Sequence, residues 1–339
     1  MYTAPSIEEP AGLTGLDGLA ALGTLAALPA AFTARYGRVA RSYPAMPRRR
    51  PLLVSPASAM SPMQALRRPF SPSRSLNPLA GRDGPIATLI AETGGLNAMI
   101  ADSTALPEQL VRDALTGAFD SAGQRCSALR VLFVQDGIAG RVTKMLAGAM
   151  EELAVGDPMR IETDVGPVID AEALTALEAH AARMGAEGKL IARAPLAAAD
   201  GHFFAPAAFE IDAIARLTRE TFGPILHVVR YKGDKLGAVC EAINATGYGL
   251  TLGIHTRIAS SADEIAARVR AGNIYVNRNQ IGAVVEAQPF GGEGLSGTGP
   301  KAGGPHYLHR FATERTLSVN TTAAGGNASL LSLEEREPA

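Results

Sequence analysis

A cysteine and a glutamate, each set near glycine, are the residues of this chain whose types and spacing could do covalent chemistry. Cys126 stands in residues 123–127, GQRCS, and Glu92 is followed closely by Gly94 and Gly95. A thiolate attacks a carbonyl carbon, and a neighbouring carboxylate can accept a proton from the thiol or from a later water. We therefore interpret Cys126 as a candidate nucleophile and Glu92 as a candidate base.

The residues around this pair favour chemistry, although each has a structural alternative. A free cysteine is most often a small buried apolar residue, and a single glutamate is most often a solvated loop acid. Here the polar sequence around Cys126 is unsuited to an apolar core, and the charge of Arg125 is expected to favour the thiolate. The two glycines after Glu92 predict that another group closely approaches the backbone.

Four segments, in this order, resemble motifs of the aldehyde dehydrogenase superfamily. The first two segments contain Glu92 and Cys126, which are 34 positions apart. The other two are residues 220–224, ETFGP, and residues 288–292, QPFGG. Any one of these matches is weak, whereas four in order with the family spacing are a specific signal. The resemblance implies an NAD-dependent enzyme in which Cys126 is the nucleophile and Glu92 the base.

The same resemblance assigns residues on the cofactor and substrate sides. It implies that Glu220 binds the nicotinamide-side ribose of NAD and that Phe222 lies near the nicotinamide ring. It also implies that Phe290 lies beside the substrate tunnel. The fold it implies is the α/β catalytic domain of the superfamily, with a parallel sheet.

Within the superfamily, residues 279–285 and 294–305 are similar to the glutamate semialdehyde (1-pyrroline-5-carboxylate) dehydrogenase module of bifunctional proline-catabolic proteins. This resemblance implies that Ser127, Gly282 and Ala283 hold the carboxylate of the substrate. A hydroxyl and backbone amides can bind an anion without a buried cation. Glu286 departs from the group, which has glycine there, and would bring a charge close to the anion site.

The reaction implied is the NAD-dependent oxidation of L-glutamate γ-semialdehyde to L-glutamate in proline catabolism, through a cysteine thiohemiacetal and a thioester. Two alternatives stay open at this point. The chain could be an inactive remnant that only folds and dimerises. It could also oxidise another semialdehyde, such as succinate semialdehyde, although the pair Gly282 and Ala283 argues against that substrate.

Residues 1–78 do not resemble the family and have an unusual composition. Residues 35–82 contain arginine as their only charged type, and prolines recur from position 51 onward. Because proline removes amide donors and breaks helices and sheets, we expect residues 1–78 to be disordered. Our hypothesis is that this segment is a truncation or frameshift product. Most of the Rossmann-type NAD domain, with its ribose-binding lysine and oxyanion asparagine, would then be missing.

From residue 81 onward, apolar patterns alternate between helix and strand periods, which predicts a parallel sheet covered on both faces. The catalytic domain is expected to span residues 79–312, with its catalytic loops at strand ends. Ser103 or Thr104 is expected to cap the first helix, and Cys240 is expected in the core. The predicted helices cover 107–119, 138–155, 171–184, 235–244 and 260–271, and the predicted strands cover 131–134, 225–231, 250–255 and 274–276.

The end of the chain predicts an oligomerisation element. Residues 316–322 alternate apolar and polar types, as a half-exposed strand does. The resemblance implies that such a strand adds to a neighbouring subunit, giving a homodimer; the alternative is a strand that closes its own sheet. We expect an oligomerisation strand and tail over 313–333 and a disordered end over 334–339.

Composition limits the classes of binding partner and the cellular compartments that we expect for this chain. Net charge is −1, and 47% of residues are hydrophobic, so neither a strongly acidic nor a strongly basic partner is implied. The arginine-rich segment lacks interleaved aromatics, and we expect no nucleic-acid partner. Glu8 and Glu9 contradict a signal peptide, and the apolar run after them is too short to cross a membrane. Two distant cysteines favour a reducing cytoplasm, and the six histidines show no metal-ligand spacing.

Overall fold

The computed structural model describes residues 52–54, 88–196, 201–284 and 286–320. The segment 1–78 expected to be disordered lies outside this range except for three residues. Residues 321–333 of the predicted tail and the end at 334–339 also lie outside it.

Strands and α-helices alternate along most of the described chain. The strands are β1 (Leu52–Val54), β2 (Leu89–Ala91), β3 (Ala98–Ala101), β4 (Val131–Gln135), β5 (Lys189–Arg193), β6 (Ala207–Ile211), β7 (Ile225–Tyr231), β8 (Tyr248–Gly249), β9 (Thr251–His255), β10 (Asn273–Val276) and β11 (Glu293–Gly294). The α-helices are α1 (Pro107–Phe119), α2 (Asp136–Glu151), α3 (Ala171–Glu187), α4 (Leu236–Ala245) and α5 (Ala259–Arg268). Short 3-10 helices cover Asp120–Gly123, Ile214–Arg216, Gly233–Lys235 and Leu308–Phe311.

Seven strands form the central sheet, in the order β10-β9-β3-β4-β7-β6-β5. Neighbouring strands run parallel except β5, which is antiparallel to β6 at the edge of the sheet. The predicted parallel α/β sheet is therefore confirmed for six strands and wrong for the seventh. A parallel connection needs a crossover, usually a helix, and the described residues between β5 and β6 form none.

The centre of the sheet is buried on both faces, as its sequence predicts. Residues 131–134 of β4 and all five residues of β9 are buried in succession. Because successive side chains of a strand point to opposite faces, such a run requires cover on both sides. Cys240 on α4 is buried in the same core, as expected.

Helix α1 begins at Pro107, as predicted, but the way it is capped differs from the prediction. The helix begins at Pro107 after Leu106, and no side chain caps it. Thr104 instead closes a local turn, in which its backbone N–H and its hydroxyl both donate to Asp102 Oδ1, at 2.8 and 2.6 Å. The expectation that Ser103 or Thr104 caps this helix is therefore wrong, because a competing side-chain turn engages the threonine.

Helix α2 ends four residues earlier than its predicted end at residue 155. Ala154 N donates to Asp164 Oδ2 at 2.9 Å, and Val155 forms a bridge with Val165. These contacts satisfy the backbone outside the helix, so an apolar residue at 155 does not extend it.

Two small sheets lie outside the central one. Strand β1 pairs in parallel with β2, a pairing that the sequence did not predict, and β8 pairs with β11 in the antiparallel sense. Residues 316–320 of the predicted late strand are exposed and form no strand within this chain. Over these residues, the alternative of a strand that closes its own sheet is wrong, and pairing with a second subunit stays a prediction.

Within the described ranges, no helix combines the length and the apolar character needed to cross a bilayer.

Candidate active site

Cys126 lies half-buried in a turn between the 3-10 helix Asp120–Gly123 and strand β4. Asn97, buried just before β3, holds this turn. Its Nδ2 donates to the carbonyl oxygens of Cys126 at 2.7 Å and Ala128 at 2.9 Å, and its Oδ1 accepts the Thr251 amide at 3.2 Å. Both amide hydrogens of Asn97 are donated to backbone carbonyls, so this side chain holds the turn that contains Cys126.

Ser127 is buried and connects the cysteine turn to the predicted substrate loop. Its carbonyl oxygen accepts the hydroxyl of Thr251 at 3.4 Å, and the same hydroxyl oxygen accepts Gln280 Nε2 at 3.2 Å. Gln280 is fully buried and stands two positions before Gly282. The start of the substrate loop is thus tied to the residue that follows the nucleophile.

Glu92 directly follows β2 and is held by the segment after β11. It forms an antiparallel bridge with Gly297, and the Thr93 amide donates to the Ser296 carbonyl at 3.0 Å. Burial raises the pKa of the Glu92 carboxyl by more than the charge of Arg310 lowers it. A carboxylate with a raised pKa accepts protons more readily, which suits a general base.

The close approach predicted from the paired glycines is confirmed, and the approaching group is Glu220. A Cβ on Gly94 would overlap Glu220 Oε2. The Gly95 amide donates to that same oxygen at 3.1 Å. Only glycine leaves room for the carboxylate here, which connects the Glu92 segment directly to the ETFGP segment.

Arg130 is the buried side chain that joins these segments, with 1% of its surface exposed. Its guanidinium donates to Glu220 Oε1 from Nε at 3.2 Å and from Nη2 at 2.9 Å. It also donates to the carbonyl oxygens of Gly123, Gly223 and Arg125, at 2.8, 3.0 and 3.2 Å. Its Cζ lies 5.3 Å from the centre of the Phe222 ring, within range of a cation–π contact.

The electrostatics at Cys126 differ from the prediction. Burial raises the pKa of the thiol most strongly, the charges of Glu220 and Glu92 raise it further, and the amides of Cys126 and Ser127 lower it. Arg125 does not contribute, since its exposed guanidinium donates to Ser121 Oγ at 2.9 Å. The expectation that Arg125 favours the thiolate is therefore wrong.

The ETFGP segment also borders a cavity of about 720 Å³, whose opposite wall is α3. Thr221 Oγ1 lies 3.1 Å from His180 Nδ1, and His180 Nε2 lies 2.9 Å from His227 Nε2. His227 Nδ1 in turn faces the Arg130 carbonyl at 2.9 Å. Burial lowers the pKa of His180 to about 3 and that of His227 to about 4, so both are neutral at pH 7.

The predicted substrate loop is more exposed than the residues around Cys126. Gly282 is exposed with φ +69°, Ala283 and Phe290 are half-buried, and Glu286 is exposed. Glu286 has φ +69° as well, in the left-handed region that favours glycine, which is the residue expected there. In the described residues, no hydrogen bond joins Gly282, Ala283 or Phe290 directly to the Cys126 cluster.

The site lies at the amino ends of the parallel strands. Asn97 precedes β3, Cys126 precedes β4, Phe222 precedes β7, and Thr251 opens β9. The sequence predicted the usual placement for open α/β sheets, which is at the carboxyl ends of the strands, and that expectation is wrong. Because the loops that enter the strands carry the side chains here, that rule does not apply.

Sequence reasoning missed four polar residues that hold the site together. Each is buried or borders a buried strand, and together they are Asn97, Arg130, Thr251 and Gln280. The available signal was the position of polar side chains next to apolar runs, such as Arg130 immediately before VLFV. Buried polar groups are normally hydrogen-bonded, so each of them implied a partner.

Solved structures and sequenced relatives resemble the chain over the same part. Bifunctional protein PutA of Salmonella typhimurium is 55% identical over 242 residues, which cover 69% of this chain and 18% of that protein. A mutant of Bradyrhizobium japonicum Proline Utilization A is 62% identical with a TM-score of 0.70, over 75% of this chain and 26% of that one. A 1-pyrroline-5-carboxylate dehydrogenase from Thermus with bound NAD is 34% identical with a TM-score of 0.65, over 70% and 47%. The chain therefore spans less than half the length of each of these three relatives.

Residues 78–317 match the family described as Aldehyde dehydrogenase family, which covers well over half of the chain. The mostly parallel α/β sheet agrees with the structures of that family. On this match and on the likeness to its solved members, the chain belongs to the aldehyde dehydrogenase family.

Proposed function

We propose that this chain carries the catalytic residues of a dehydrogenase that oxidises L-glutamate γ-semialdehyde, the open form of 1-pyrroline-5-carboxylate, to L-glutamate. The observation that carries the proposal is the joined cluster of Cys126, Glu92 and Glu220, in which nucleophile, base and cofactor-side carboxylate are linked through Arg130 and Gly95. The relatives named for proline utilisation and for 1-pyrroline-5-carboxylate dehydrogenase support this substrate class.

NAD is the hydride acceptor in this proposal, and the residues present fit it. Glu220 and Phe222 line the cavity beside α3. Glu220 Oε1 accepts two hydrogen bonds from Arg130, whereas Oε2 accepts one from Gly95. Each oxygen of a carboxylate has two acceptor sites, so Oε2 retains one for a ribose hydroxyl. Phe222 supplies an apolar ring for the nicotinamide side. When bound, NAD would supply the hydride acceptor for the oxidation.

The chemistry of the chain's own residues follows from their surroundings. Glu92 accepts the proton of the Cys126 thiol and passes it to solvent, and Sγ forms a bond to the aldehyde carbon. The carbonyl oxygen that gains charge is stabilised by the Cys126 amide. After oxidation of that carbon, a thioester remains. Glu92 accepts a proton from water, the water oxygen bonds to the thioester carbon, the carbon–sulfur bond breaks, and L-glutamate leaves. The raised pKa of the Glu92 carboxyl helps the proton transfer at neutral pH.

We also propose that Ser127, Gly282 and Ala283 hold the carboxylate of the substrate and that Phe290 packs against its aliphatic part. Two hydrogen bonds of the Thr251 hydroxyl, to Ser127 and from Gln280, support this proposal. They fix the start of the predicted substrate loop relative to the proposed nucleophile. The exposure of Glu286 also supports it, since an exposed charge acts weakly on a bound anion in water.

The proposed partners are the small-molecule substrate and a second copy of this chain. Leu317 and Val319 are 56% and 67% exposed, and they lie two positions apart, on one side of an extended segment. This exposed apolar pair supports pairing across a homodimer. A cytoplasmic location remains part of the proposal, because a chain with only two cysteines, far apart in sequence, is typical of proteins with reduced thiols.

The experiment is NADH formation by the purified chain with 1-pyrroline-5-carboxylate, followed by the absorbance of NADH. We expect turnover in the wild type and in Cys240→Ala, and turnover at least about a thousandfold lower in Cys126→Ala, because the nucleophile is gone. Succinate semialdehyde serves as the competing substrate and should be oxidised more slowly. No turnover by a chain that is shown to be folded, or equal turnover in Cys126→Ala, would overturn the proposal.

A further inference from the structure

We propose that Arg130 is the positioning residue of this site, and that its guanidinium fixes the nucleophile turn against the cofactor-side carboxylate of Glu220. The inference rests on the proposed function for the roles of Cys126 and Glu220. It concerns a residue that makes no contact with substrate or cofactor in that proposal and acts through the groups it holds.

Every donor of the Arg130 side chain is used. A guanidinium has five N–H donors in one plane. Nε donates to Glu220 Oε1, Nη1 to the carbonyls of Gly123 and Gly223, and Nη2 to Arg125 O and again to Glu220 Oε1. A lysine could supply only three donors from a single point, so it could not satisfy this set of acceptors.

The acceptors of Arg130 come from two segments that are remote in sequence. Gly123 and Arg125 flank the nucleophile turn, whereas Glu220 and Gly223 belong to the ETFGP segment, about 90 positions further along the chain. Glu220 then accepts the Gly95 amide, three positions after Glu92. One side chain therefore determines the relative placement of three motif segments that are remote in sequence.

Arg130 also forms a buried ion pair at this site. Arg130 is almost fully buried, and a buried cation is stable only when it is paired. Glu220 supplies the paired charge at 2.9 Å. Glu220 also raises the pKa of the Cys126 thiol. Burial raises the pKa of the Glu220 carboxyl and Arg130 lowers it, so loss of Arg130 would raise that pKa further. Once Glu220 ionises in the alkaline range, its charge would be uncompensated beside the thiol, and thiolate formation would require a higher pH.

The test is the rate at which iodoacetamide alkylates Cys126 between about pH 6 and pH 10.5, in a Cys240→Ser background so that one thiol reacts. It does not depend on dehydrogenase activity. The midpoint is the pH at which the alkylation rate is half of its maximum. For Arg130→Met we expect this midpoint to rise by about one pH unit, which lowers the rate at pH 7.5 about tenfold. Adding Glu220→Gln should bring the midpoint back, because the uncompensated charge is then gone.

Two further variants keep the test decisive if Arg130→Met does not fold. Arg130→Lys keeps a charge but loses the planar fork, so its midpoint should stay near that of the wild type. Arg125→Met, in the same turn but exposed, is the matched control and should change nothing. An unchanged midpoint in folded Arg130→Met, or a raised midpoint that Glu220→Gln does not restore, would overturn the proposal, as would a raised midpoint in folded Arg130→Lys.

A kinetic arm separates this inference from the proposed function. If the wild type turns over, Arg130→Lys should raise KM for NAD about tenfold or more while KM for the aldehyde changes less than about threefold, because Glu220 is displaced from the cofactor side. If KM for both substrates rises equally, Arg130 has only a structural role and the proposal fails. If the wild type shows no turnover, the proposed function fails while the alkylation result still decides the placement of Arg130.

Discussion

At the scale of single residues, Glu286 illustrates how a side chain can be wrong for its backbone and still be tolerated. Its φ of +69° falls where glycine is favoured, yet it is exposed, so its charge remains in water. A non-glycine residue in this conformation costs about 1 to 2 kcal/mol through the contact between Cβ and the backbone. The departure from the family pattern is therefore a matter of backbone strain more than of charge near the substrate.

We expect Glu286→Gly to stabilise the chain by about 1 kcal/mol, because glycine removes the steric cost. The measurement is the urea midpoint of unfolding at pH 7. The matched control is Glu178→Gly, at an exposed position inside α3, where the same replacement should destabilise by about 1 kcal/mol. Equal shifts in the same direction for both variants would contradict the explanation from φ.

The residues of the site also differ in how far the sequence could reveal them. Cys126 and Glu92, the proposed nucleophile and base, stand out because each lies in a segment that contains glycine, and the segment around Cys126 is too polar for an apolar core. Arg130 does not stand out, since its role arises from acceptors contributed by segments that meet only after folding. A local pattern cannot carry that information, whereas the presence of a charged residue directly before an apolar strand does indicate that a partner exists.

At the scale of elements, the strands β4, β7 and β9 could be predicted because each is an apolar run closed on both sides by turn or helix signals. Strand β3, with sequence AMIA, and strand β6, with sequence AAFEI, escaped prediction. Alanine is disfavoured in strands, and four or five residues are too few to show a clear alternation. Their pairing is decided by burial between better-defined neighbours, so tertiary context determines these elements.

The contact between α3 and β7 gives the chain an acid-sensitive element. Arg183 can only donate and a carbonyl can only accept, so His180 and His227 form one directed chain from Arg183 to the Arg130 carbonyl. Both rings are neutral in this arrangement. Burial is the main cause that lowers the pKa of His227 to about 4, from an ordinary value of 6.5.

This geometry predicts a loss of stability on acidification. Between pH 6.5 and about 4, the unfolded chain binds a proton at residue 227 that the folded chain does not bind. The contribution of this histidine is therefore fully present above pH 6.5 and is lost as pH falls through that window. At pH 5 the loss is about 2 kcal/mol.

The measurement compares urea unfolding at pH 7 and pH 5 in the wild type and in His227→Asn. The difference between the two pH values should shrink by about 2 kcal/mol in the variant. His202→Asn, at an exposed position, is the control and should leave the difference unchanged. A variant that keeps the full acid sensitivity would assign that sensitivity to other groups.

At the scale of the whole molecule, the exposed segment 313–320 bears on assembly. We expect the wild type to sediment as a dimer and Leu317→Asp to sediment as a monomer, because a buried charge on the pairing face opposes association. Ser318→Asp, on the other side of the same extended segment, is the control and should remain dimeric. Analytical ultracentrifugation distinguishes the outcomes, and an identical sedimentation profile for both variants would contradict the pairing.

Because the site lies at the amino ends of the strands, the two ends of the strands have different uses in protein engineering. The chemistry depends on segments that lead into β3, β4, β7 and β9. The connections at the carboxyl ends include residues 232–235, which are exposed and follow β7. A fluorophore or an affinity handle attached there would stand a full strand length away from Cys126. The carboxyl ends of the strands can therefore carry a label while the site at the amino ends remains unobstructed.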